Sequence, residues 1–485
     1  MIVDPSLAGR RALVLGLGRF SGGVETIRFL AGHGARVTVS DTATPEALAD
    51  SVHAIADSGA SLRFGPQTPA LLDELGAGGL LVASPAIPFE HPVLVEAARR
   101  GIETTSEIEL FVARVPCPVL GVTGTKGKST TSTLLANMLR AGGFRTHLGG
   151  NVGHSLLNEL ARMRPTDRVV LELSSFQLHD LARIGFRPSI AVVTNLFPDH
   201  LDRHGTFDHY AASKRAILDR QTADDVAVLP GDDAALRAHG FETAGRARRV
   251  HFGGLGEAVP APGVRVTETG GLSEVGAFGP TRAEREGGSP GAATGTELPA
   301  FALWGAHNRR NAAAAAAAAL AAGCTWAEVR AGAAATQPLD HRLQPVHEAG
   351  GILFIDDSIA TTPQCTAAAL EAVPRRCIVL VGGKEKGTES TVLVEALRAR
   401  AKGVVGIGTT GAMVVDLVRR GTSIPAVLSG GGPDLAAAMK AALAMAAPGD
   451  AVLLSPGFSS LDQYASFAVR GDAFAKAARD ATVGR

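Results

Sequence analysis

Cysteine is scarce in this sequence. The 485 residues contain only Cys117, Cys324, Cys365 and Cys377. Their spacing matches neither a disulfide framework nor a zinc site, so a disulfide-stabilised secreted fold and a structural zinc domain are excluded. The pattern is typical of buried thiols in a protein of a reducing compartment.

The chain also lacks an excess of charge, since 47 lysines and arginines balance 47 aspartates and glutamates. No global field then favours a nucleic acid or an anionic membrane as the partner. No apolar run is long enough to span a bilayer, and the N-terminal stretch from Met1 to Pro5 does not have the basic-then-apolar pattern of a signal peptide. We therefore expect a soluble cytoplasmic protein with no nucleic-acid partner and no membrane insertion.

One glycine-rich stretch has the features of a phosphate-binding loop. It follows a short apolar run typical of a strand and leads into a segment with apolar residues at helical spacing. Its glycines let backbone N–H groups point at phosphate oxygens, Lys128 can reach the terminal phosphates, and a hydroxyl can bind Mg²⁺. Val122 stands where the full pattern has its first glycine, so an accidental glycine turn is the alternative. The residues expected to hold a nucleoside triphosphate are Gly124, Thr125, Lys126, Gly127, Lys128, Ser129 and Thr130.

The N-terminal region predicts a strand–helix–strand unit. An apolar run from Arg11 to Gly16 precedes a glycine-containing loop, and the second strand ends at Asp41. An acidic residue at the tip of the second strand favours nucleotide binding. The glycines are spaced one residue wider than the dinucleotide pattern, so a purely structural turn is the alternative.

Two strands that follow the phosphate loop end in polar residues. The strand from Arg168 to Leu173 carries Glu172 at its end, and the strand from Pro188 to Asn195 leads to His200. Ligands gather beyond the carboxyl ends of parallel strands. We therefore expect Lys128, Glu172 and His200 at one edge of a sheet.

Strand-like and helix-like segments alternate through most of the chain, and its length predicts two or three domains. Residues 255–300 are expected to form loops and short edge strands, whereas the alanine-rich run from His307 to Ala322 is a strong helix signal. The alternation predicts an α/β protein in which the first and third domains are Rossmann-like and the central domain has a P-loop ATPase-like parallel sheet. The expected domains are residues 1–114, 115–337 and 338–485.

Several motifs occur in a fixed order along essentially the whole chain. They are Gly124 to Thr130, Glu172 to Gln177, Asn195 to Asp202, His307 to Asn311, His341-Arg342 and Asp357 to Thr361. Together they resemble the Mur ligases of peptidoglycan synthesis. The segment from Ser455 to Gln463, with Phe467 beyond it, resembles the glutamate-adding branch of that family.

The resemblance implies an ATP-dependent ligase that joins the carboxylate of UDP-N-acetylmuramoyl-L-alanine to the amine of glutamate, with release of ADP and phosphate. ATP would first convert the carboxylate, a poor electrophile, into an acyl phosphate that the amine then attacks. The implied cofactors are ATP and two Mg²⁺ ions, the implied partners are the nucleotide sugar and glutamate, and we expect a monomer.

The resemblance also assigns residues to each ligand. Those implied to bind the nucleotide sugar are Gly18, Arg19, Phe20, Ser21, Gly22, Asp41, Thr42 and Asn151. Those implied to bind ATP, beyond the phosphate loop, are Asn308, Asn311, Arg342 and Asp357. Those implied to bind metal are Ser129, Glu172, His200 and Lys214. Those implied to hold glutamate are Thr361, Lys386, Ser460 and Phe467, with Lys384 as an alternative to Lys386. The implied catalytic residues are Lys128, His200, Lys214 and Arg342.

Two positions leave alternatives open. Lys214 matches the family lysine that CO₂ carbamylates, and the carbamate would turn a cation into an anion able to bind Mg²⁺; an ordinary exposed helix lysine is the alternative. Ile359 stands where the family pattern Asp-Ser-Lys-Ala-Thr has its lysine. A related ligase that adds L-glutamate lacks that lysine too, as do some D-glutamate enzymes, so we expect D-glutamate and keep L-glutamate as the alternative.

Two rival functions remain at this point. A folylpolyglutamate-synthase-like ligase would share the ATP-binding residues but would need a pterin pocket in place of Asp41, Thr42 and the first glycine loop. A nucleotide-driven binding switch would hydrolyse ATP without ligation. Phosphate release that requires both the nucleotide sugar and glutamate would distinguish the ligase from the switch.

Overall fold

The structure is a computed structural model that describes residues 6–18, 21–152, 155–278, 295–298, 303–385, 390–420, 422–429 and 435–482. The chain divides into two compact units, one of residues 1–299 and 310–335 and the other of residues 300–309 and 336–485. The first unit contains two sheets and the second contains one. None of the helices in the described part of the chain combines the length and apolar character needed to cross a membrane.

The N-terminal sheet is entirely parallel, with strand order β3-β2-β1-β4-β5. Its strands are β1 (Arg11–Leu15), β2 (Arg36–Asp41), β3 (Ser61–Phe64), β4 (Leu80–Ala83) and β5 (Glu103–Thr105). Its helices are α1 (Ser21–Gly32), α2 (Ala49–Ala54), α3 (Pro92–Arg99) and α4 (Glu107–Val112). Strand β1 is buried from its second residue onward, as expected for a central strand covered on both faces.

The central sheet has the order β14-β13-β12-β11-β10-β9-β6-β8-β7. Its strands are β6 (Val119–Thr123), β7 (Thr146–Gly150), β8 (Arg168–Glu172), β9 (Ile190–Val193), β10 (Val226–Pro230), β11 (Arg248–Gly253), β12 (Gly263–Val266), β13 (Leu272–Val275) and β14 (Gly295–Thr296). The pairs from β7 through to β12 are parallel, whereas β12–β13 and β13–β14 are antiparallel. Short edge strands were predicted between residues 255 and 300, and β12 to β14 confirm them.

The helices of this region are α5 (Lys128–Ala141), α6 (Ser175–Arg183), α7 (Leu201–His204), α8 (Phe207–Asp219), α9 (Ala234–Ala238), α10 (Ala306–Ala321) and α11 (Trp326–Ala335). Helix α10 confirms the alanine-rich prediction. Small side chains allow close helix packing: a Cβ on Gly332 of α11 would lie 2.4 Å from the Cα of Met138 in α5.

The C-terminal sheet has the order β15-β16-β20-β17-β18-β19, with β15 antiparallel to β16 and the other pairs parallel. Its strands are β15 (Gln344–Ala349), β16 (Ile352–Asp356), β17 (Cys377–Val381), β18 (Ala401–Gly406), β19 (Ala426–Leu428) and β20 (Ala451–Leu454). Its helices are α12 (Pro363–Ala372), α13 (Thr391–Arg400), α14 (Gly411–Arg419), α15 (Leu435–Met445) and α16 (Phe467–Asp480). The predicted α/β class with three parallel-sheet regions is confirmed.

Candidate active site

The phosphate loop joins β6 to α5, as the sequence predicts. Both of its glycines have positive φ, 141° at Gly124 and 84° at Gly127. A Cβ at Gly124 would lie 1.9 Å from the Thr194 hydroxyl, and one at Gly127 would lie 2.4 Å from Oδ1 of Asn311. Neither position therefore accepts another residue without rearrangement. Asn311, predicted to bind ATP, lies directly against the loop.

The segment after β9 fixes the backbone of this loop. The side-chain amide of Asn195 accepts from the N–H of Lys126 and donates to its carbonyl, both at 2.9 Å. The Thr194 hydroxyl donates to the same carbonyl at 2.6 Å. Lys128 donates from Nζ to the carbonyls of Gly124 and Thr125, each at 3.0 Å. The lysine charge is thus held over the loop that is expected to bind phosphate.

Glu172 and Asn151 lie side by side because β7 and β8 are parallel neighbours, with Gly150 opposite Glu172. The Asn151 amide donates to Oε1 of Glu172 at 2.8 Å. Glu172 is buried, and its Oε2 has no hydrogen-bond partner among the described residues. Burial of a carboxylate oxygen that accepts no hydrogen bond costs free energy of folding unless a cation or a water molecule contacts it. This oxygen suits Mg²⁺, a hard cation that prefers oxygen ligands.

Lys214 lies on α8 and is buried, with 1% of its surface exposed. The alternative of an ordinary exposed lysine is therefore wrong. Its Nζ donates to the carbonyl of Gly124 at 2.8 Å and lies 3.4 Å from the Thr123 hydroxyl. Burial, and next the nearby charge of Lys128, hold the pKa of Lys214 well below its usual value. Burial thus favours the uncharged amine over the ammonium at this position.

His200 follows β9 at the same edge of the sheet. It has a positive φ of 52° and precedes α7. Its side chain is exposed, and its ring centre lies 5.3 Å from that of Phe176. Lys128 and His200 thus follow β6 and β9, and Glu172 is the last residue of β8, so all three lie at the carboxyl ends of neighbouring strands. Within the described ranges no group of three or more His, Cys, Asp or Glu side chains forms a metal cage, so an ion here would also need hydroxyl, phosphate or water oxygens.

A cleft of about 780 Å³ lies between the loops of the N-terminal sheet and the central sheet. Its lining includes Gly16, Gly22, Ser84, Asn151, Gln177 and His200. Asn151 therefore both faces the cleft and holds Glu172. Of the residues predicted to bind the nucleotide sugar, Arg19, Phe20 and the side chain of Ser21 lie outside the described residues.

Asp41 supports the first glycine loop. Its Oδ2 accepts the N–H groups of Leu17 and Gly18, at 2.9 and 3.0 Å, and its Oδ1 accepts that of Ala43 at 2.8 Å. Oδ2 thus accepts two hydrogen bonds, whereas Oδ1 accepts one and retains a second lone pair for a ligand. The neighbouring Thr42 is exposed. Sequence reasoning assigned Asp41 only to binding of the nucleotide sugar and missed this role in shaping the loop.

In the C-terminal unit, Asp357 follows β16 and is fully buried. It accepts the Ser455 hydroxyl at 2.7 Å and the N–H of Leu343 at 3.2 Å. Burial raises its pKa to about 7. The adjacent Arg342 has a buried Nε without a hydrogen-bond partner among the described residues. Arg342 also lowers the pKa of His307, after the larger effect of burial.

The predicted ATP residue Asn308 is buried, and its amide donates to the Trp304 carbonyl at 2.8 Å. Asn308 belongs to the C-terminal unit, whereas Asn311 belongs to the first.

The residues predicted to hold glutamate differ in exposure. Ser460 is buried and Phe467 is 37% exposed, and Thr361 is half-buried. Lys384 pairs through its backbone with Ser459. Lys386 lies outside the described residues.

Sequence reasoning missed Arg470 in this region, a buried arginine on α16. It donates to the Ser358 carbonyl at 2.9 Å and to the Ser358 hydroxyl at 3.0 Å. Phe467 is tied to the same serine, because its carbonyl accepts from the Ser358 hydroxyl at 2.7 Å. Arg470 thereby holds the residue that follows Asp357.

Three family models match consecutive parts of the chain. They are the MurD-like N-terminal domain of Mur ligases at residues 10–106, the Mur ligase middle domain at 122–319, and the Mur ligase glutamate ligase domain at 341–458. The curated relatives include a protein of Desulfosudis oleivorans that is 37% identical over 97% of this chain and 96% of its own length. The chain belongs to the Mur ligase family. The resemblance predicted from the ordered motifs is therefore confirmed, and the family consists of ATP-dependent ligases.

The Mur ligase relatives share a name. The Desulfosudis protein and a relative from Anaeromyxobacter dehalogenans, 36% identical over 98% of this chain and 99% of its own length, are both called UDP-N-acetylmuramoylalanine–D-glutamate ligase. Solved structures with the same fold include the alanine ligase MurC of Thermotoga maritima, with a TM-score of 0.62, 18% identity and coverage of 97% of this chain and 99% of that one. MurF of the same organism, solved with ADP, has a TM-score of 0.58 and 17% identity, with 99% of each chain covered.

Proposed function

We propose that this Mur ligase joins D-glutamate to UDP-N-acetylmuramoyl-L-alanine at the expense of ATP, in the synthesis of a peptidoglycan precursor. The observation that carries the proposal is the bond between Asn151, which lines the cleft, and Glu172, which stands beside the phosphate loop. A nucleotide sugar in the cleft would present its carboxylate to a triphosphate on the loop. The proposal includes a cytoplasmic, monomeric enzyme with domains 1–114, 115–337 and 338–485.

The proposal assigns residues to each of three ligands. The residues that bind the nucleotide sugar are Gly18 to Gly22, Asp41, Thr42 and Asn151. The residues that bind ATP are Gly124 to Thr130, Asn308, Asn311, Arg342 and Asp357. The residues that bind glutamate are Thr361, Lys386, Ser460 and Phe467. The support is strongest for the phosphate loop. Its Gly127 packs so closely against the Asn311 side chain that no Cβ could be accommodated at residue 127.

The reaction proceeds in two steps. A carboxylate oxygen of the nucleotide sugar attacks the γ-phosphorus, and the bond to the β-phosphate oxygen breaks to release ADP. The neutral amine of glutamate then attacks the acyl carbon, loses a proton, and expels phosphate. Phosphoryl transfer between anions depends on positioning and on neutralisation of charge. Lys128 supplies a positive charge held against the loop, and Arg342 carries a further positive charge on the C-terminal unit.

The chemistry of the residues at the strand ends fits Mg²⁺. The unpartnered Oε2 of Glu172 and the hydroxyl of Ser129 are oxygen donors, and His200 follows β9 at the same edge. When bound, Mg²⁺ would neutralise charge on the phosphates. Lys214 carries the proposed carbamate: its neutral amine attacks CO₂, forms an N–C bond, and loses a proton. The resulting anion would offset the charge of Lys128 and add oxygen donors.

The choice of D-glutamate follows the name that the relatives share. Ile359 stands in place of the lysine of the family pattern, so L-glutamate remains the second candidate. Ile359 is half-buried, and its N–H donates to the His341 carbonyl at 3.2 Å.

The decisive experiment measures phosphate release by the full-length chain with ATP, Mg²⁺ and UDP-N-acetylmuramoyl-L-alanine, with D- or L-glutamate added separately. The proposal expects release only when the nucleotide sugar and D-glutamate are both present, and a product with the mass of the amide. Release without either substrate would indicate a nucleotide switch. A product with L-glutamate alone would overturn the assignment of the D isomer, and ligation of a folate instead of the nucleotide sugar would overturn the substrate.

A further inference from the structure

Arg203 lies in the wall of the cleft, three residues after His200. Its guanidinium donates to three consecutive backbone carbonyls: Nη2 to those of Pro85 and Ile87, at 3.2 and 3.0 Å, and Nη1 to that of Ala86 at 3.2 Å. These carbonyls form the turn that follows β4, so the contact joins the N-terminal sheet to helix α7. Both ends of the contact belong to the same compact unit.

Two aromatic rings lie close to this guanidinium. Its carbon lies 4.4 Å from the ring centre of Phe176 and 5.6 Å from that of Phe89. Phe176 itself stacks on His204 with ring centres 5.0 Å apart, and it is the second residue of α6. Stacking on aromatic faces stabilises a guanidinium while it leaves its edge free for hydrogen bonds. Arg203 therefore bridges the turn, α7 and the start of α6.

The contact depends on the shape of the arginine side chain as well as on its charge. A planar fork with several N–H groups can serve three carbonyls at once, whereas a lysine ammonium is a single point charge. Donors that carry a charge make stronger hydrogen bonds than neutral donors. The Nε of Arg203 is buried and has no partner among the described residues, so the fork at Nη1 and Nη2 makes the whole polar contact.

We propose that Arg203 is a positioning residue: it holds the Pro85–Ile87 turn against α7 and thereby sets the width of the nucleotide-sugar cleft. Pro85 and Ala86 of the turn line that cleft together with Gly16 and Ser84. Release of the turn widens the cleft and removes the preorganised wall that the nucleotide sugar contacts. The inference rests on the proposed function, because the nucleotide sugar is the ligand whose binding reports the width of the cleft.

The test is calorimetric binding of UDP-N-acetylmuramoyl-L-alanine to the full-length chain without ATP or Mg²⁺. Arg203→Lys keeps the charge and the stem but loses the fork, and Arg203→Ala loses both. We expect each variant to raise Kd by about tenfold or more, because the nucleotide sugar must then order a wall that the wild type holds in advance. Arg237→Ala, which removes an exposed arginine paired with Asp232 at 2.7 Å, is the matched control and should leave Kd unchanged.

Steady-state kinetics and chemical rescue separate positioning from a general effect on stability. If Arg203 acts by positioning, its substitution raises KM for the nucleotide sugar but leaves KM for ATP unchanged. Ethylguanidinium, but not ethylammonium, should restore binding of the nucleotide sugar to Arg203→Ala. Wild-type Kd in Arg203→Lys, or a lower melting temperature with unchanged Kd in both variants, would overturn the inference. These results differ from failure of the proposed function, in which the wild-type chain itself would not bind the nucleotide sugar.

Discussion

Lys214 offers the most direct test of the proposed chemistry, because its structural and chemical roles can be separated by substitution. Lys214→Ala removes three buried methylene groups, each worth about 0.8 kcal/mol, and one hydrogen bond worth about 1 kcal/mol. The expected loss of folding stability is thus about 3 kcal/mol. Lys214→Met keeps most of this packing and removes a desolvated amine, so its stability should stay within about 1 kcal/mol of the wild type.

Both variants should lose ligation almost completely despite this difference in stability. Neither can form the carbamate, and loss of one preorganised electrostatic group costs about 10² to 10³ in kcat. Phosphate release at saturating substrates measures the loss, and thermal unfolding measures the change in stability. Removal of CO₂ and bicarbonate from the wild-type assay should lower kcat in the same direction, and ¹³C-labelled bicarbonate should give a carbamate signal that is absent from both variants.

A small carboxylate distinguishes the carbamate from a simple loss of the amine. Acetate can enter the space that Lys214→Ala leaves beside the Gly124 carbonyl, and it should restore part of the activity. It should not rescue Lys214→Met, because the methionine side chain fills that space. Normal turnover by Lys214→Met would refute the carbamate, since that variant retains the fold but has no nitrogen to modify.

Three other substitutions test separate parts of the site. Glu172→Gln keeps an acceptor for the Asn151 amide but removes the negative charge. The Mg²⁺ concentration for half-maximal activity should therefore rise about 10- to 100-fold, with little change in melting temperature. An unchanged Mg²⁺ requirement would contradict the assignment of Glu172 as a metal ligand. Gly127→Ala places a Cβ 2.4 Å from Asn311, and residue 127 has a positive φ. For alanine, this backbone conformation costs about 1–2 kcal/mol. Calorimetry should therefore show weaker ATP binding. Burial raises the pKa of Asp357 to about 7 from about 3.9 in the unfolded chain, so the wild type loses stability as pH rises between these values. Asp357→Asn does not titrate, and its melting temperature relative to the wild type should therefore increase from pH 5 to pH 8; a constant difference would contradict this reasoning.

Much of the fold follows from local patterns in the sequence. Strands such as β1, β6, β8 and β20 are short apolar runs flanked by turns, and burial on both faces produces that pattern. Strand β3 alternates exposed and half-buried residues, and β7 contains two glycines, so neither has a strong signal. Strand β10 is different, because Val226–Pro230 is apolar and fully buried. This apolar run has the pattern of a buried strand, and the sequence analysis missed it.

The burial of Lys214 also had a signal in the sequence. Tyr210, Lys214, Ile217 and Leu218 are spaced four, seven and eight residues from the first, which places them on one face of a helix. All four are buried on α8. A lysine at a core position of an amphipathic helix is rarely structural, because its charge must be desolvated. This helical pattern indicates a buried lysine, a signal that the sequence analysis missed when it kept an ordinary exposed lysine as the alternative.

Asp41 and Arg203 could not be interpreted in the same way, because their partners are backbone groups. Asp41 reaches N–H groups 23 and 24 residues away, and Arg203 reaches carbonyls 116 to 118 residues away. Every residue except proline carries an N–H and every residue carries a carbonyl, so such contacts require no particular side chain at the partner position. They depend instead on which loops the folded sheets bring together. Motif-based reasoning therefore finds residues that bind a ligand through a characteristic side-chain pattern. It does not find side chains that shape a cleft by holding its backbone.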